Sequence, residues 1–153
     1  FRAACITGPR QAGFELHGFL NYLVRVATRR ETYTIIGYGG KQVRDQLSSF
    51  DLIRALWHFA QDPKPGEVYN LGGGRENSAS VQECIAAVNE ITGSDLRTTY
   101  EAIPRRGDHV CYISDCRKFE SHYPTWQRTR SLPEILKELV NDGQRSNNRM
   151  TAA

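Results

Sequence analysis

The sequence predicts an α/β fold, because short apolar segments of strand character alternate with amphipathic helical segments along the chain. Two of the predicted strands, Phe1–Thr7 and Val68–Leu71, lack the polar alternation of a half-exposed sheet. This pattern predicts strands that are covered on both faces, as in a parallel sheet. Gly8 and Pro9 end the first strand, and a proline- and glycine-rich turn precedes the second.

Apolar residues at helical spacing predict the intervening helices. The first runs from about Glu15 to Arg29, and Leu16 is the first apolar residue of its buried face. Ser49 or Asp51 is placed to cap the second helix, while Ser80-Val-Gln-Glu83 has the sequence of a capping box for the third. A short fourth helix is predicted near residues 117–121, and the last one is predicted to end near residue 140. We expect the folded part to span residues 1–142 and the polar residues 143–153 to form a flexible tail.

Composition limits the function classes. The 153 residues are 39% hydrophobic with a net charge of +3, as in a folded domain, and no apolar run approaches a membrane span. The basic residues are sixteen arginines and four lysines, scattered without a nucleic-acid-binding motif, so a phosphorylated small molecule is an alternative ligand. The four cysteines form no regular framework, which predicts reduced thiols and a cytoplasmic location. A start at Phe1 within a strand, without an initiator methionine, suggests a truncated product.

The segment Thr34–Asp45 is the centre of the functional prediction. An apolar strand leads into a glycine-dense turn, where a ligand can approach the backbone, and then into Arg44 beside Asp45. The guanidinium fork of Arg44 suits a phosphate or a carboxylate, and Asp45 could hold that fork in place. The alternative is an ordinary hairpin with a surface ion pair.

A second basic turn, Arg105-Arg106-Gly107-Asp108, could join Arg44 in a two-armed clamp on a diphosphate. Its alternative interpretation is a solvated loop with a local ion pair. The Gly72–Gly74 turn fails the G-x-G-x-x-G pattern because Asn77 stands where the third glycine belongs, which favours a tight turn. The spacing of His109, Cys111, Cys116 and His122 argues against a zinc site. His17 either faces a ligand or is structural.

An ordered series of motifs resembles the C-terminal half of the extended short-chain dehydrogenase/reductase family, the nucleotide-sugar epimerases and dehydratases. The series is Phe1-Arg2, Gly8-Pro9, Gly37 ahead of Arg44-Asp45, Asp51, Val68–Gly74 and Arg105-x-Gly107-Asp108. Within this family, three segments are most similar to the 2-epimerases of CDP-sugars. They are Cys5 before Thr7–Pro9, Glu15–Phe19 and Gly37–Asp45.

The resemblance implies an NAD-dependent epimerisation in which a sugar hydroxyl at C2 is oxidised and then reduced from the opposite face. In the family, an N-terminal half carries a glycine-rich dinucleotide fingerprint and a catalytic Tyr-x-x-x-Lys pair, and this sequence contains neither. It therefore implies the C-terminal substrate-binding part of a Rossmann-type fold, without the N-terminal Rossmann half. Such a chain would have no catalytic residues and be inactive alone, with NAD bound mainly by the missing half.

The resemblance also implies roles for individual residues. Arg44 and Arg105 would bind the substrate diphosphate, while Asp108 would hold a ribose hydroxyl or orient Arg105. Tyr112 would reach the sugar. The remaining expected pocket residues are Cys5 and His17 along the sugar nucleotide, and Thr34 and Ile36 against the base.

The expected partner is a nucleotide sugar, with a CDP-sugar favoured and with neither nucleic acid nor a membrane as a partner. The full-length protein could be a homo-oligomer. Two alternatives remain at this point: a fragment of a UDP- or dTDP-sugar 4-epimerase or dehydratase, and a non-catalytic sugar-nucleotide-binding module.

Overall fold

A computed structural model describes residues 1–11, 13–15 and 17–151 of the chain, with side chains described up to residue 145. The helical position predicted for Leu16 lies outside these residues. The strands are β1 Arg2–Ala3, β2 Cys5–Thr7, β3 Tyr33–Ile36, β4 Val43–Ser48, β5 Asn70–Leu71, β6 Ser78–Ser80, β7 Thr98–Glu101 and β8 Cys111–Tyr112. The α-helices are α1 Phe19–Thr28, α2 Ser49–Gln61, α3 Val81–Thr92, α4 Arg117–His122 and α5 Leu132–Thr151.

Strand β4 is the centre of the strand arrangement. It pairs in parallel with β2 and β8 and antiparallel with β6, while β1 pairs in parallel with β5 and β3 in parallel with β7. The predicted α/β class with mainly parallel pairing is therefore confirmed. Strands β3 and β4 flank the glycine turn but pair with different partners, so the hairpin alternative is wrong.

The two strands predicted to be covered on both faces differ from that expectation. The segment Phe1–Thr7 divides at Ala4 into β1 and β2, which belong to different sheets, and the residues of β1 are exposed. In the second segment, Val68 is 48% exposed whereas Tyr69 and Leu71 are buried. Neither segment is buried along its whole length, so the continuous apolar character of the sequence overstated how far these strands are covered.

Two hydrophobic cores support the strands. The first lies among α1, α3 and α5 and is largely aliphatic, with Leu23, Val88 and Leu136 fully buried. The second is largely aromatic and joins β4 and β5 to α2 and α4 around Tyr69, Phe119 and Trp126. No helix in the described part of the chain is long and apolar enough to cross a membrane.

Several helix ends depend on local backbone chemistry. Helix α1 begins at Phe19, four residues later than predicted, because Gly18 adopts the left-handed conformation with φ of 68°. The capping box of α3 is confirmed, whereas Ser48 caps α2 in place of the predicted Ser49 or Asp51. Helix α5 continues past the predicted end near residue 140. Gly143 allows this, since a Cβ there would lie 3.3 Å from Thr28 of α1.

Candidate functional site

The alternation of side chains along β4 sets up the candidate site. Arg44 and Gln46 are two residues apart, so both point to the same face of the strand, whereas Asp45 and Leu47 point to the other face. Leu47 enters the aromatic core. The face that carries Arg44 and Gln46 instead borders a cavity, which we call the main cavity.

Arg44 is held by a carboxylate far away in the sequence. Its Nη2 lies 2.5 Å from Oδ1 of Asp108, and Nη2 of Arg105 lies 3.7 Å from the other carboxylate oxygen. The side chains of Arg44 and Asp108 are only 13% and 8% exposed, so this pair is partly shielded from water. We refer to Arg44, Arg105 and Asp108 as the arginine clamp.

The idea that Asp45 holds the Arg44 fork is wrong. The Asp45 side chain is fully buried on the opposite face of β4 and accepts backbone N–H bonds from Gly74, at 2.9 Å, and from Ser114, at 3.1 Å. These bonds tie two loops to the strand. Asp45 therefore shapes the loops.

The main cavity has a volume of about 390 Å³ and lies between β2, β4 and the segment that leads into α1. The residues that line this cavity include Cys5, Thr7, Gln11, His17, Gln46 and the two clamp arginines. Cys5 and His17, both expected to line a ligand pocket, thus meet Arg44 and Arg105 around one space. His17 lies in a tight turn before α1, where its backbone exchanges hydrogen bonds with Phe14.

A small cavity of about 30 Å³ adjoins the main one. Thr34 and Ile36 line it, as do Phe19, Arg44 and Arg105, which also line the main cavity. The clamp arginines therefore stand where the two spaces meet. Tyr33 borders the small cavity as well, and burial raises the pKa of its phenol to about 12, so it is a neutral group at pH 7.

Tyr112 and Arg106 lie apart from these walls. Tyr112 is paired with Arg44 in the register of β8 and β4, but its ring is 40% exposed, contacts His109, and lines neither cavity in the described structure. Arg106 is exposed on the loop before β8. The residues weighed as a zinc set also serve elsewhere, since Cys116 contacts the Gly72 carbonyl oxygen and His122 bonds the Tyr69 hydroxyl.

The chain matches known proteins on both sequence and structure. The family model described as "NAD dependent epimerase/dehydratase family" matches residues 1–72. A probable dTDP-glucose 4,6-dehydratase from Sinorhizobium fredii is 30% identical over 111 residues, covering 67% of this chain and 31% of the relative. The chain belongs to the NAD-dependent epimerase/dehydratase family.

Other members of this family agree with the assignment. CDP-paratose 2-epimerase from Salmonella typhi is 27% identical over 125 residues, covering 77% of this chain and 36% of the relative. The crystal structure of UDP-glucose 4-epimerase from Thermotoga maritima, with UDP-glucose, matches at a TM-score of 0.84 and 32% identity, covering 95% of this chain and 45% of that one. UDP-glucuronic acid 4-epimerase from Bacillus cereus, with UDP-glucuronic acid and NAD, matches at a TM-score of 0.79 and 26% identity, covering 95% and 44%.

The chain thus spans about a third of the curated relatives and just under half of the solved ones. The matched structures are Rossmann-type epimerases, which confirms the resemblance to this family and the class of fold.

The Gly72–Gly74 turn of this epimerase-family chain does not fit the pyrophosphate of NAD. A dinucleotide-binding turn needs glycines whose backbone is open to a pyrophosphate. In the Gly72–Gly74 turn, other atoms of this chain pack against the glycines instead. A Cβ at Gly73 would lie 2.0 Å from the Gln46 carbonyl oxygen, and one at Gly72 would lie 2.4 Å from Oδ2 of Asp45. Since the sequence also lacks a Tyr-x-x-x-Lys pair, no hydride-transfer step is assigned to these residues.

Sequence reasoning missed several residues of the main cavity, among them Gln11, Phe19 and Gln46. Gln46 had a usable signal, because a residue two positions after Arg44 on a strand must share its face. Gln11 and Phe19 had none, since their place on the wall depends on how the segment before α1 folds back over β2 and β4.

Proposed function

We propose that this chain is the nucleotide-sugar-binding part of an NAD-dependent epimerase that resembles CDP-paratose 2-epimerase and takes a CDP-sugar. The observation that carries the proposal is the arginine clamp at the meeting point of the two cavities. Arg44 and Arg105 present two guanidinium groups to one space, and a guanidinium fork matches the oxygens of a diphosphate.

The geometry supports a division of labour along the ligand. The diphosphate would lie at the clamp, where Asp108 orients Arg44 through a hydrogen bond and lies within ion-pair distance of Arg105. The sugar would enter the main cavity, beside Cys5 and His17. The base would lie toward Thr34 and Ile36 at the small cavity. Tyr112 would reach the sugar only if its exposed ring turned toward the cleft.

The reacting groups of the proposed enzyme are not in this chain. Burial raises the pKa of the Cys5 thiol, and the charge of Asp45 adds to that effect, so the thiol is neutral at pH 7. A neutral thiol is a poor nucleophile. Cys5 is therefore a wall residue, and the chain supplies binding and orientation of the substrate.

The clamp is tested by calorimetric titration of CDP-glucose into the purified 153-residue chain and three variants. Arg44→Ala and Arg105→Ala should each weaken binding by about 1.5–3 kcal/mol, because each removes a charge-assisted contact to the diphosphate. Arg106→Ala is the matched control, since Arg106 belongs to the same turn but is exposed, and its dissociation constant should not change. Unchanged affinity in both clamp variants would contradict the proposal.

A second candidate is a UDP- or dTDP-sugar 4-epimerase or dehydratase, which the dTDP-glucose 4,6-dehydratase and UDP-glucose 4-epimerase relatives favour. The same titration with CDP, UDP and dTDP separates the candidates, because these ligands share the diphosphate and differ in the base, and dTDP also lacks the ribose 2′-hydroxyl. The tightest binding of CDP would support the 2-epimerase assignment, and the tightest binding of UDP or dTDP would support the second candidate.

A further inference from the structure

Gln46 has a buried side-chain amide whose oxygen accepts a hydrogen bond and whose nitrogen donates none within the described structure. It is 1% exposed, and its Oε1 accepts a hydrogen bond of 2.7 Å from the Thr7 hydroxyl. Its Nε2 is buried and has no hydrogen-bond partner among the described residues. A buried donor without a partner costs roughly 1–3 kcal/mol, so such groups are rare in folded proteins.

The position of this donor is well defined by the fold. Strand pairing places Gln46 directly opposite Cys5, and both residues line the main cavity. Gln46 is two residues from Arg44 on the same face of β4, which separates the two positions by about 7 Å. The backbone cannot shift easily, because the Gln46 N–H donates to the Asn77 carbonyl oxygen at 2.9 Å.

The neighbouring Cys5 thiol interacts with this donor but satisfies it only weakly. Thr7 binds the oxygen end of the amide, and the nitrogen end lies beside Cys5, which is opposite Gln46 in the strand register. The Cys5 thiol is neutral because burial raises its pKa, although the Gln46 amide and Arg44 act in the opposite direction. A neutral thiol is only a weak acceptor. A ligand oxygen is therefore the natural partner for the Gln46 nitrogen.

We propose that the side-chain nitrogen of Gln46 donates a hydrogen bond to a sugar oxygen of the bound nucleotide sugar and so determines which sugars are accepted. This inference rests on the proposed function, which places the diphosphate at Arg44. A donor about 7 Å further along the strand then lies at the depth of the sugar and beyond the phosphates. It favours a hydroxyl or carbonyl oxygen at that position of the sugar and disfavours a deoxy carbon or an ammonium group.

The test compares CDP-glucose with CDP in calorimetric titrations of the purified chain. Gln46→Met keeps the length of the side chain and removes the donor, so it should weaken CDP-glucose binding about five- to tenfold. The affinity for CDP, which has no sugar at that depth, should not change. Gln127→Met is the matched control, because Gln127 is exposed and lies away from the main cavity, and it should bind both ligands like the unaltered chain.

Deoxy analogues of CDP-glucose keep the test independent of whether a variant folds. Removal of the contacted hydroxyl should weaken binding to the unaltered chain about five- to tenfold, and Gln46→Met should not weaken binding of that analogue further. If CDP-glucose binds and neither the Gln46 variant nor any analogue loses affinity, this inference is wrong and the proposed function stands. If neither CDP nor CDP-glucose binds to the unaltered chain, the proposed function fails, and the inference fails with it.

Discussion

Asp51 and Asp108 are two buried carboxylates with opposite surroundings. Asp51, fully buried at the start of α2, accepts backbone N–H bonds from Thr129 and Arg130, both at 3.0 Å, and the Thr129 hydroxyl at 2.7 Å. Asp108 instead holds the side chains of Arg44 and Arg105, which both border the cavities. The backbone and hydroxyl donors of Asp51 belong to the packed structure, with Arg54 as a further partner at 3.4 Å, whereas the two arginines beside Asp108 border the cavities.

The difference separates a structural polar cluster from a binding site. A carboxylate whose oxygens are filled by backbone donors fixes one loop arrangement, and nothing is left to bind a ligand. A guanidinium has five donors, so Arg44 keeps donors free after it pairs with Asp108 and with the Val43 carbonyl oxygen. Unfilled donors beside a cavity, in the clamp and on Gln46, therefore mark the functional region better than burial or charge alone.

The largest expected effect tests the structural half of this comparison. Asp51→Ala should lower the free energy of unfolding by about 3 kcal/mol, because it leaves two backbone N–H groups and a hydroxyl without their acceptor. Urea unfolding measures the loss, and the variant that remains folded should bind CDP-glucose normally. Asp95→Ala, at an exposed carboxylate, should change the stability by less than about 0.5 kcal/mol. A weakened affinity in Asp51→Ala would show that the two regions are coupled.

The next effect tests the functional half. Asp108→Asn should weaken CDP-glucose binding by about 1 kcal/mol, because an uncharged amide holds the two arginines less firmly in the direction of the diphosphate. Titration calorimetry gives the dissociation constant. Asp62→Asn is the control, since Asp62 makes a comparable ion pair with Lys64 but is 70% exposed. Tighter binding in Asp108→Asn would mean that Asp108 competes with the ligand for the arginines.

The smallest expected effect is a pH-dependent change in stability at a second carboxylate that accepts hydrogen bonds within the protein. Glu83 accepts hydrogen bonds from the Ser80 backbone N–H and hydroxyl, which lower its pKa. A lowered pKa in the folded state contributes stability above the pKa of the unfolded chain, and this contribution disappears as the pH falls through the folded value. Glu83→Gln should therefore cost about 0.5 kcal/mol at pH 7 and nothing in acid, below the folded pKa of Glu83.

Urea unfolding of this variant at pH 7 and in acid measures the difference. Glu90→Gln, exposed near the other end of α3, should not show the same loss at pH 7, because a negative charge there has no N-terminal N–H groups to stabilise. An equal cost of Glu83→Gln at both pH values would contradict the assignment of the stability to the ionised carboxylate.

The success of sequence reasoning depended on how local each feature is. The capping box of α3 was predicted correctly because Ser80 and Glu83 contact each other within one helical turn. Arg44, Arg105 and Asp108 were found as motif residues, but the partner of Arg44 was not. Adjacent residues on a strand point to opposite faces, so Asp45 was never able to reach it. The start of α1 was missed because the left-handed backbone of Gly18 was not anticipated.

By itself, the sequence determined the α/β class, the capping box of α3 and the family, because these features depend on residue types at short spacings. The tertiary structure alone decided which groups meet. Asp108 reaches Arg44 across 64 positions of the chain, and Thr7 reaches Gln46 across 39. Strand pairing and loop packing bring such residues together. Whether a polar group has a partner within the protein or stays available to a ligand therefore depends on how distant segments fold against each other.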